Sequence, residues 1–292
     1  MREKITILGI NGGFGALFSR LLFMKGEVAI TGIDLTDTVS QSAKCAKYIQ
    51  SDLTLGNDGI KSTISESDLI IICLPENVAY KFLEGYERDI LKTALLVDTL
   101  SIKKEIASFY IKHDFNALSL NPMFGPDLSI DGKNMIVIKF KETQVSDWFV
   151  SLLKLWKVNL VYTTSDQHDQ ISSIVQVATH ATIMAFGITL NNTDISTAVL
   201  LEVATPPFLS MSTLFGRIIS GNKKVYWNIQ QENVYASAVR KAIINNLIAL
   251  DQSIDNGREE DFNKLIEAKT AHQQEIFQKL ADDFSSFIKE KN

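Results

Sequence analysis

Cysteine and proline are scarce in this chain of 292 residues. The two cysteines, Cys45 and Cys73, are too few for a disulfide scaffold and are typical of a protein in a reducing compartment. The five prolines stand where helices or strands are expected to end, which indicates turns. Because the sequence has no proline- or serine-rich stretch and no internal repeat, it contains no recognisable flexible linker.

Positively charged residues are also fewer than negatively charged ones. Lysine and arginine number 29 against 34 acidic residues, so the net charge is −5 and the isoelectric point lies near 5.5. This balance provides no basic surface for nucleic acid or for an anionic membrane. A small anionic substrate would therefore need local cationic groups.

No apolar leader follows Met1, because a strand-like run begins almost at once, so we expect no secretion and a cytoplasmic location. The longest apolar stretch, residues 171–190, is interrupted by polar side chains such as Ser172, Gln176 and His180, which favours a buried bundle helix over a membrane span. Apolar residues make up 46% of the chain and charged residues 22%, as in globular proteins with a sizeable core. At about 150 residues per domain, the length predicts two domains.

The two halves of the chain differ in pattern. The first half holds apolar runs of strand length at residues 4–10, 28–34, 69–74, 95–99, 116–120, 135–140 and 158–163. Helical patterns fit between several of these runs, beginning with residues 14–24 and 78–91. Such alternation predicts parallel βαβ units and a doubly wound α/β sheet over residues 1–164.

The second half, residues 165–292, is predicted to be all helical. Apolar side chains recur at helical spacing over residues 167–190, 194–203, 208–219, 225–256 and 259–289. We therefore predict an α/β domain followed by an all-α domain.

A glycine-rich turn joins the first predicted strand to the first predicted helix, where residues 9–15 read G-I-N-G-G-F-G. Such a turn lets the backbone approach a pyrophosphate, which the N–H groups and dipole of the helix N-terminus then bind. The match to G-x-G-x-x-G is imperfect, because a non-glycine residue takes the first glycine place. The predicted cofactor site comprises Gly9, Ile10, Gly12, Gly13, Phe14, Gly15, Asp34, Leu74 and Pro75.

Asp34 ends the second predicted strand, about 20 residues after the glycines, where a carboxylate accepts hydrogen bonds from the adenine ribose. The same carboxylate would repel the 2′-phosphate of NADP, and residues 35–41 hold no lysine or arginine to bind one. The sequence therefore predicts a Rossmann-type domain that binds NAD. The alternative is a structural glycine-rich turn and a solvent-facing Asp34 with no role in nucleotide binding.

Two segments in the middle of the chain carry a resemblance to a known family. Residues 98–103 read D-T-L-S-I-K and residues 120–127 read L-N-P-M-F-G-P-D, each after a predicted strand. The sequence resembles the prephenate/arogenate dehydrogenase family, whose hallmark is D-x-x-S-x-K followed by H-P-M-F-G-P. Further matches follow in the family's order, with H-D at residues 168–169 and G-R at residues 216–217. The resemblance implies an NAD-dependent oxidoreductase of aromatic amino acid biosynthesis that oxidatively decarboxylates a cyclohexadiene.

One departure from the family concerns its catalytic histidine, whose place is taken by Asn121. In prephenate dehydrogenases, that histidine accepts the proton of the C4 hydroxyl while hydride leaves C4 and the ring carboxylate departs as CO2. A carboxamide does not take up a proton at any relevant pH, so Asn121 can orient a substrate but cannot act as a base.

Three explanations for Asn121 remain open. The protein is a prephenate or arogenate dehydrogenase in which water takes the proton; or it is an inactive homologue that binds NAD or another ligand; or its substrate carries a C4 group that needs no strong base. A C4 amine fits the third explanation, because the nitrogen lone pair stabilises the developing cation and Asn121 can accept a hydrogen bond from the amine. We favour 4-amino-4-deoxyprephenate as substrate and 4-aminophenylpyruvate as product.

The resemblance also assigns roles to three other residues. In relatives, the serine of D-x-x-S-x-K bonds the catalytic histidine, so Ser101 is expected to bond Asn121 or the C4 substituent. Arg217 corresponds to a residue that binds a substrate carboxylate, and the alternative is a salt bridge to an acid such as Glu202. His180 is expected either to line the substrate pocket or to be an ordinary core residue.

The remaining polar candidates are ambiguous. Tyr226 and Gln230 lie on a polar and aromatic helical face that either lines the substrate pocket or packs between helices. His168 and Asp169 are interpreted as the cap of the helix that they begin, with a direct chemical role as the alternative. Lys103 is interpreted as a solvated lysine, with an electrostatic role at the site as the alternative. Neither cysteine has a partner at metal-ligand spacing, so no metal site is predicted.

The helical domain is expected to form a homodimer. Apolar positions of residues 171–190 and 259–289 provide more helix surface than one small domain can hide, and the relatives dimerise through this domain. The substrate, a small anionic dicarboxylate, is expected between the two domains near Asn121, Ser101, His180 and Arg217.

Overall fold

Isoleucine, leucine and valine dominate the strands of the first half of the chain, and these strands form one sheet. The computed structural model describes residues 3–26 and 28–291. The strands are β1 (Glu3–Leu8), β2 (Val28–Asp34), β3 (Lys47–Gln50), β4 (Leu69–Ile72), β5 (Leu95–Asp98), β6 (Asn116–Pro122), β7 (Asn134–Lys139) and β8 (Asn159–Tyr162). Their order in the sheet is β3-β2-β1-β4-β5-β6-β7-β8, so the first six follow the order typical of dinucleotide-binding folds. The predicted α/β class is confirmed.

Neighbouring strands run parallel except for β6 and β7, which pair antiparallel with Asn121 opposite Ile136. This pair departs from the parallel arrangement of the other strands, which the predicted βαβ units imply. A parallel crossover needs a dozen or more residues and usually a helix, whereas residues 123–133 join β6 to β7 without one.

Five helices cover the sheet: α1 (Gly13–Lys25), α2 (Asp58–Ser65), α3 (Glu76–Tyr86), α4 (Lys104–Lys112) and α5 (Gln144–Leu155). Side chains alternate between the two faces of each strand, so each face has its own apolar core. Phe18 of α1 and Phe149 of α5 belong to one core, and Phe82 of α3 and Tyr110 of α4 to the other. Both faces of the central strands are therefore buried, which fixes the carboxyl edge of the sheet where ligands of such folds bind.

The second part of the chain is helical, as predicted. Its elements are α6 (Ser165–Ser172), a π-helical segment (Ser173–Ala178), α7 (Thr179–Asn191), α8 (Thr197–Glu202), α9 (Pro206–Ser220), α10 (Lys223–Glu232), α11 (Ala236–Asp255), α12 (Glu259–Ile266) and α13 (Ala271–Lys291). The chain divides into two compact units, Met1–Ile171 and Ser172–Asn292. The division falls inside the long helix that α6 begins, close to the boundary at residue 164 that the sequence predicts.

Two long helices of the prediction are interrupted. The helix expected over residues 225–256 breaks where the Asn233 side chain accepts the N–H of Tyr235, a local bond that competes with the helix. The helix expected over residues 259–289 breaks before Thr270, whose side chain accepts the N–H of Gln273 while the Gln273 side chain accepts the N–H of Lys269.

Residues 165–191 form a continuous helical stretch that contains an 18-residue window with a mean hydropathy of 1.5, apolar and long enough by composition to cross a membrane. A single such helix is weak evidence for a membrane span, because core and interface helices of soluble proteins have the same composition. Only 28% of its apolar window is buried within the chain, with Ile174 and Val175 exposed. The expectation of a buried helix is therefore wrong for the isolated chain.

Candidate active site

The glycine turn after β1 is so tightly packed that Gly9 and Gly15 have no room for a side chain. Gly9 has a φ of +73°, and a Cβ there would lie 2.3 Å from the carbonyl oxygen of Cys73 on the adjacent strand. A Cβ on Gly15 would lie 2.2 Å from the carbonyl oxygen of Gly9. The helix α1 therefore begins directly at this turn. The first N–H groups of α1 have no partner inside the helix and can bind an anion.

A cavity of about 550 Å³ lies beside this turn, at the carboxyl ends of β1, β2 and β4. Five of the predicted cofactor residues line it: Gly9, Gly12, Asp34, Leu74 and Pro75. The size and the position are those of a nucleotide site in an open α/β sheet.

The other four predicted cofactor residues support the turn instead of lining the cavity. Ile10 is fully buried and its side chain packs beneath Gly32. Gly13 lies against Pro126, and the ring of Phe14 meets that of Phe124 edge-on with centroids 6.0 Å apart. Gly15 packs on the backbone of the turn, as described above. The P-M-F-G-P segment after β6 thus contacts the start of α1.

Asn11 is a site residue that the sequence did not reveal. Its backbone N–H donates to Asp34 Oδ2 at 3.0 Å, while its side chain donates to the carbonyl of Thr38 at 2.9 Å and accepts from the N–H of Ser40 at 2.7 Å. Asp34 Oδ1 accepts the N–H of Leu35 at 2.8 Å. Asn11 therefore fixes both the carboxylate and the loop that follows β2. The glycine motif treats its position as variable, so no sequence signal pointed to it.

Asn121 lies near the carboxyl end of β6 and is bonded to a histidine from another element. The side chain of Asn121 is 4% exposed, and its Nδ2 lies 2.8 Å from Nε2 of His168 on α6. The other ring nitrogen of His168, Nδ1, lies 2.8 Å from Oδ1 of Asp169, and both residues are fully buried. Burial lowers the pKa of His168, although its hydrogen bond to the Asp169 carboxylate opposes that shift.

Asp169 joins this chain of side chains to the start of α4. Its carboxylate accepts the backbone N–H of Lys103 at 3.1 Å and that of Lys104 at 3.2 Å. The interpretation of His168 and Asp169 as the cap of their own helix is therefore wrong. Asp169 satisfies the N-terminal donors of a different helix, which is favourable because a carboxylate there also interacts with the helix dipole.

Lys103 is buried, so its interpretation as a solvated lysine is wrong as well. Its Nζ donates to Asp98 Oδ1 at 2.9 Å and to the carbonyl of Leu120 at 2.7 Å. Ser119 donates to the same carboxylate oxygen at 2.9 Å. Burial lowers the pKa of Lys103 and the charge of Asp98 opposes the shift. The lysine thus connects the end of β5 to the residue before Asn121.

Ser101 follows β5 at the same edge of the sheet and is half-buried. Its backbone N–H donates to Glu76 Oε1 at 3.0 Å. Within residues 3–26 and 28–291, no hydrogen bond joins the Ser101 hydroxyl to Asn121, whose side chain is bonded to His168 instead. Glu76 therefore fixes the backbone of Ser101 at this edge of the sheet.

The other four predicted site residues belong to the second unit, where two of them meet. The rings of His180 and Tyr226 pack edge-on with centroids 4.9 Å apart, and burial lowers the pKa of His180. Gln230 donates to the carbonyl of Val177, in the π-helical segment, at 2.9 Å. Tyr226 and Gln230 also line a largely apolar cavity of about 720 Å³.

Arg217 is exposed on α9. In the described part of the chain it forms no ion pair, so the salt bridge to Glu202 is absent. Its guanidinium remains available to a carboxylate ligand.

Comparisons with known proteins agree with these features. A model of the nucleotide-binding domain of prephenate dehydrogenase matches residues 18–134, and a model of the dimerization domain of prephenate dehydrogenase matches residues 164–268. A 4-amino-4-deoxyprephenate dehydrogenase from Streptomyces pristinaespiralis is 30% identical over 264 residues, covering 90% of this chain and 88% of that protein. A probable arogenate/prephenate dehydrogenase from Methanocaldococcus jannaschii is 25% identical, covering 92% of this chain and 60% of that protein.

Solved structures resemble the fold. The crystal structure of prephenate dehydrogenase from A. aeolicus, in complex with hydroxyphenyl propionate and NAD+, superposes with a TM-score of 0.71. The sequences are 17% identical, and the match covers 97% of this chain and 98% of that one. Synechocystis arogenate dehydrogenase superposes with a TM-score of 0.66 at the same identity.

Proposed function

Because the chain belongs to the prephenate dehydrogenase family, we propose that it catalyses the NAD-dependent oxidative decarboxylation of 4-amino-4-deoxyprephenate to 4-aminophenylpyruvate. The observation that carries the choice of substrate is Asn121, an amide at the position where the family's H-P-M-F-G-P motif has a histidine base. The similarity to the Streptomyces enzyme over most of both chains supports the same substrate.

The residues of the glycine turn fit a dinucleotide. Neither Gly9 nor Gly15 has room for a Cβ, which leaves the backbone bare beside the cavity, and the Asp34 carboxylate lies on its wall. We propose that the N–H groups at the start of α1 bind the pyrophosphate and that Asp34 accepts from the adenine ribose. When bound, NAD+ supplies the acceptor for the hydride.

Once the ammonium form of an amine substrate has lost a proton to solvent, the chemistry of the neutral amine needs no base from the protein. As hydride leaves C4, the nitrogen lone pair forms an iminium; loss of CO2 from the ring carboxylate then supplies the electron pair that makes the ring aromatic and returns the lone pair to nitrogen. No proton has to leave the neutral amine. Asn121 Oδ1 can accept a hydrogen bond from an amine N–H and hold C4 in place, which is within the capacity of an amide.

The two carboxylates of the substrate need cationic side chains to bind them, and we propose that Arg217 is one of these side chains. Bidentate contact between a guanidinium and a carboxylate suits a dicarboxylic substrate. His180, Tyr226 and Gln230 are proposed as further substrate-binding residues, and Ser101 as a residue that bonds the C4 substituent. The π-helical segment next to His180 supports this proposal, because such segments occur frequently at functional sites.

Initial rates of NADH formation on prephenate, arogenate and 4-amino-4-deoxyprephenate test the proposed substrate. We expect the native protein to prefer the amino compound, with a rate that is flat near neutral pH. Asn121→His should lower turnover of the amino compound and raise activity on prephenate, by as much as the roughly 10²–10⁴-fold that a general base contributes. The variant should also acquire a pH limb near the usual histidine pKa of about 6.5.

The outcomes separate the alternatives for Asn121. A native preference for prephenate or arogenate would refute the amine substrate and identify a tyrosine-pathway dehydrogenase that works without the histidine. If none of the three compounds yields NADH, the chain is an inactive homologue.

We also propose that the protein is a homodimer formed through its helical unit. Among the described residues, the second unit buries few large apolar side chains, whereas many others on its helices are exposed, including Ile188, Leu209, Leu247 and Phe277. Exposed apolar surface of this extent marks an interaction surface, and the matched dimerization domain covers most of it.

A further inference from the structure

We propose that His168 and Asp169 are positioning residues that hold the amide of Asn121 in one orientation, with Nδ2 toward His168 and Oδ1 toward the substrate, so that the site selects a hydrogen-bond donor at C4. The proposal rests on the proposed function in one respect, namely that the substrate meets Asn121. The three side chains that it concerns, Asn121, His168 and Asp169, all belong to the first unit of the chain.

The tautomer of His168 determines which end of the amide faces it. If Nδ1 carries the proton, it donates to the carboxylate of Asp169, and Nε2 becomes an acceptor for Asn121 Nδ2. In the opposite tautomer, the lone pair of Nδ1 would face a carboxylate oxygen 2.8 Å away inside the protein, which is repulsive. Asp169 therefore selects the first tautomer.

Asp169 is itself held in place by two backbone donors, the N–H groups of Lys103 and Lys104 at the start of α4. The carboxylate, the imidazole and the amide thus form one line of three buried side chains, each oriented by the previous one. Asn121 Oδ1, at the far end of this line, makes no hydrogen bond within the described residues. It is consequently an acceptor that a bound ligand can satisfy.

Protonation of His168 would reverse the arrangement. An imidazolium donates from both nitrogens, so Nε2–H would oppose Nδ2 and the amide would turn its oxygen toward the ring. The charged groups that act on His168 are Asp169 from its own helix, Lys103 from the start of α4 and Asp98 from β5. Because burial lowers the pKa of His168 below its ordinary 6.5, the reversal is expected only in acid, and neutral solutions keep Oδ1 toward the ligand.

Nuclear magnetic resonance tests the orientation without any substrate. The chain has four histidines, so long-range ¹H–¹⁵N spectra of the full protein and of His168→Gln assign the His168 ring. We expect a neutral ring protonated at Nδ1 at pH 7.5. A ring protonated at Nε2, or an imidazolium at that pH, would overturn the proposal whatever the protein's activity.

A double-mutant cycle tests the consequence for the reaction. His168→Phe removes the acceptor and should lower kcat/KM for 4-amino-4-deoxyprephenate roughly 5- to 10-fold, the usual net effect of one hydrogen bond, while leaving NAD+ affinity unchanged. The same change should have no effect in an Asn121→Ala background. Equal losses in both backgrounds would show that His168 acts on the fold and not on the amide.

Two further variants complete the design. His168→Gln keeps an acceptor that does not titrate, so it should retain more activity than His168→Phe and should lose the acid limb of the native pH profile. His272→Phe removes a histidine that is largely exposed and should match the native protein. If the native protein itself forms no NADH with the amino compound, the proposed function fails, and the tautomer measurement still decides the present proposal.

Discussion

The Asp34 carboxylate is held by backbone donors from two segments, Asn11 on the glycine turn and Leu35 after β2. Oδ1 also accepts the N–H of Thr36 at 3.5 Å, whereas Oδ2 accepts the bond from Asn11 alone and keeps a lone pair for a further donor. A ribose that bonds this carboxylate therefore meets a group that is already fixed in position.

Asp34→Ala should weaken NAD+ binding roughly 10- to 100-fold, since hydrogen bonds to a charged group contribute about 1.5–3 kcal/mol. NADP+ should be affected much less, because the same change removes a repulsion of its 2′-phosphate. Fluorescence titration with both nucleotides measures the ratio. Asp37→Ala removes the same charge from an exposed position on the neighbouring loop and serves as the control. An unchanged NAD+/NADP+ ratio in Asp34→Ala would remove Asp34 from the site.

Residues that act through a local motif could be predicted, and those that act through distant partners could not. Gly9, Gly12 and Asp34 follow from one strand–turn–helix–strand pattern and do line the cavity. Asp169 lies 66 residues from Lys103, whose N–H it accepts, and His168 lies 47 residues from Asn121. No periodicity records such pairs, so the sequence offered only their local interpretation as a helix cap.

At the scale of elements, Lys103 connects three of them. It stands at the start of α4, pairs with Asp98 at the end of β5 and bonds the carbonyl of Leu120 in β6. A positively charged side chain at a helix N-terminus interacts unfavourably with the helix dipole. The negative charge of Asp169, which accepts the N–H of Lys103, offsets this interaction. The buried pair therefore fixes how these elements meet beneath Asn121.

Lys103→Met should destabilise the fold by about 3–5 kcal/mol, because it leaves the Asp98 carboxylate buried without its cation. Urea unfolding measures the change. Asp98→Asn combined with Lys103→Met should recover part of the loss, since neither charge of the buried pair remains. Lys104→Met alters the next residue, whose side chain is exposed, and should change stability by less than about 0.5 kcal/mol. A Lys103→Met protein as stable as this control would contradict the role given to the pair.

The elements themselves could be predicted where their pattern was strong. β3 and α2 escaped prediction: β3 has four residues, none of them buried, and α2 buries only Ile60 and Ile64 among its residues. The direction of β7 was missed because side-chain alternation is the same in parallel and antiparallel strands. The break before Thr270 did carry a signal, the spacing of a capping box, which the longer apolar periodicity obscured.

At the scale of the whole molecule, buried apolar side chains are distributed unevenly between the two units. The first unit has two extensive cores, whereas the described residues of the second form one small buried cluster, Val177, Ile229 and Ala236, with Ile183 and Ile218 buried apart from it. Helices that leave so much apolar surface in water are stable when another surface covers them. The homodimer is accordingly the state in which we expect the second unit to be stable.

Sedimentation equilibrium should give about twice the chain mass of 32.6 kDa at micromolar concentration. Leu247→Glu places a charge on the exposed apolar face of α11 and should shift the protein toward the monomer. Ile111→Glu makes the same kind of change on an exposed apolar residue of the first unit and should leave the dimer intact. A native monomer at these concentrations would refute the dimer.

The antiparallel pairing of β6 with β7 has a consequence for the order in which the chain folds. The two strands are joined by the short connection of residues 123–133, and loops of such length close within about 10–100 ns. Pairing of parallel neighbouring strands requires the closure of longer loops. The entropic cost of closing these loops slows the formation of the parallel strand pairs. Asn121 lies in the hairpin ladder opposite Ile136 and can therefore be set in its backbone position early, before the long-range docking of His168 turns its side chain.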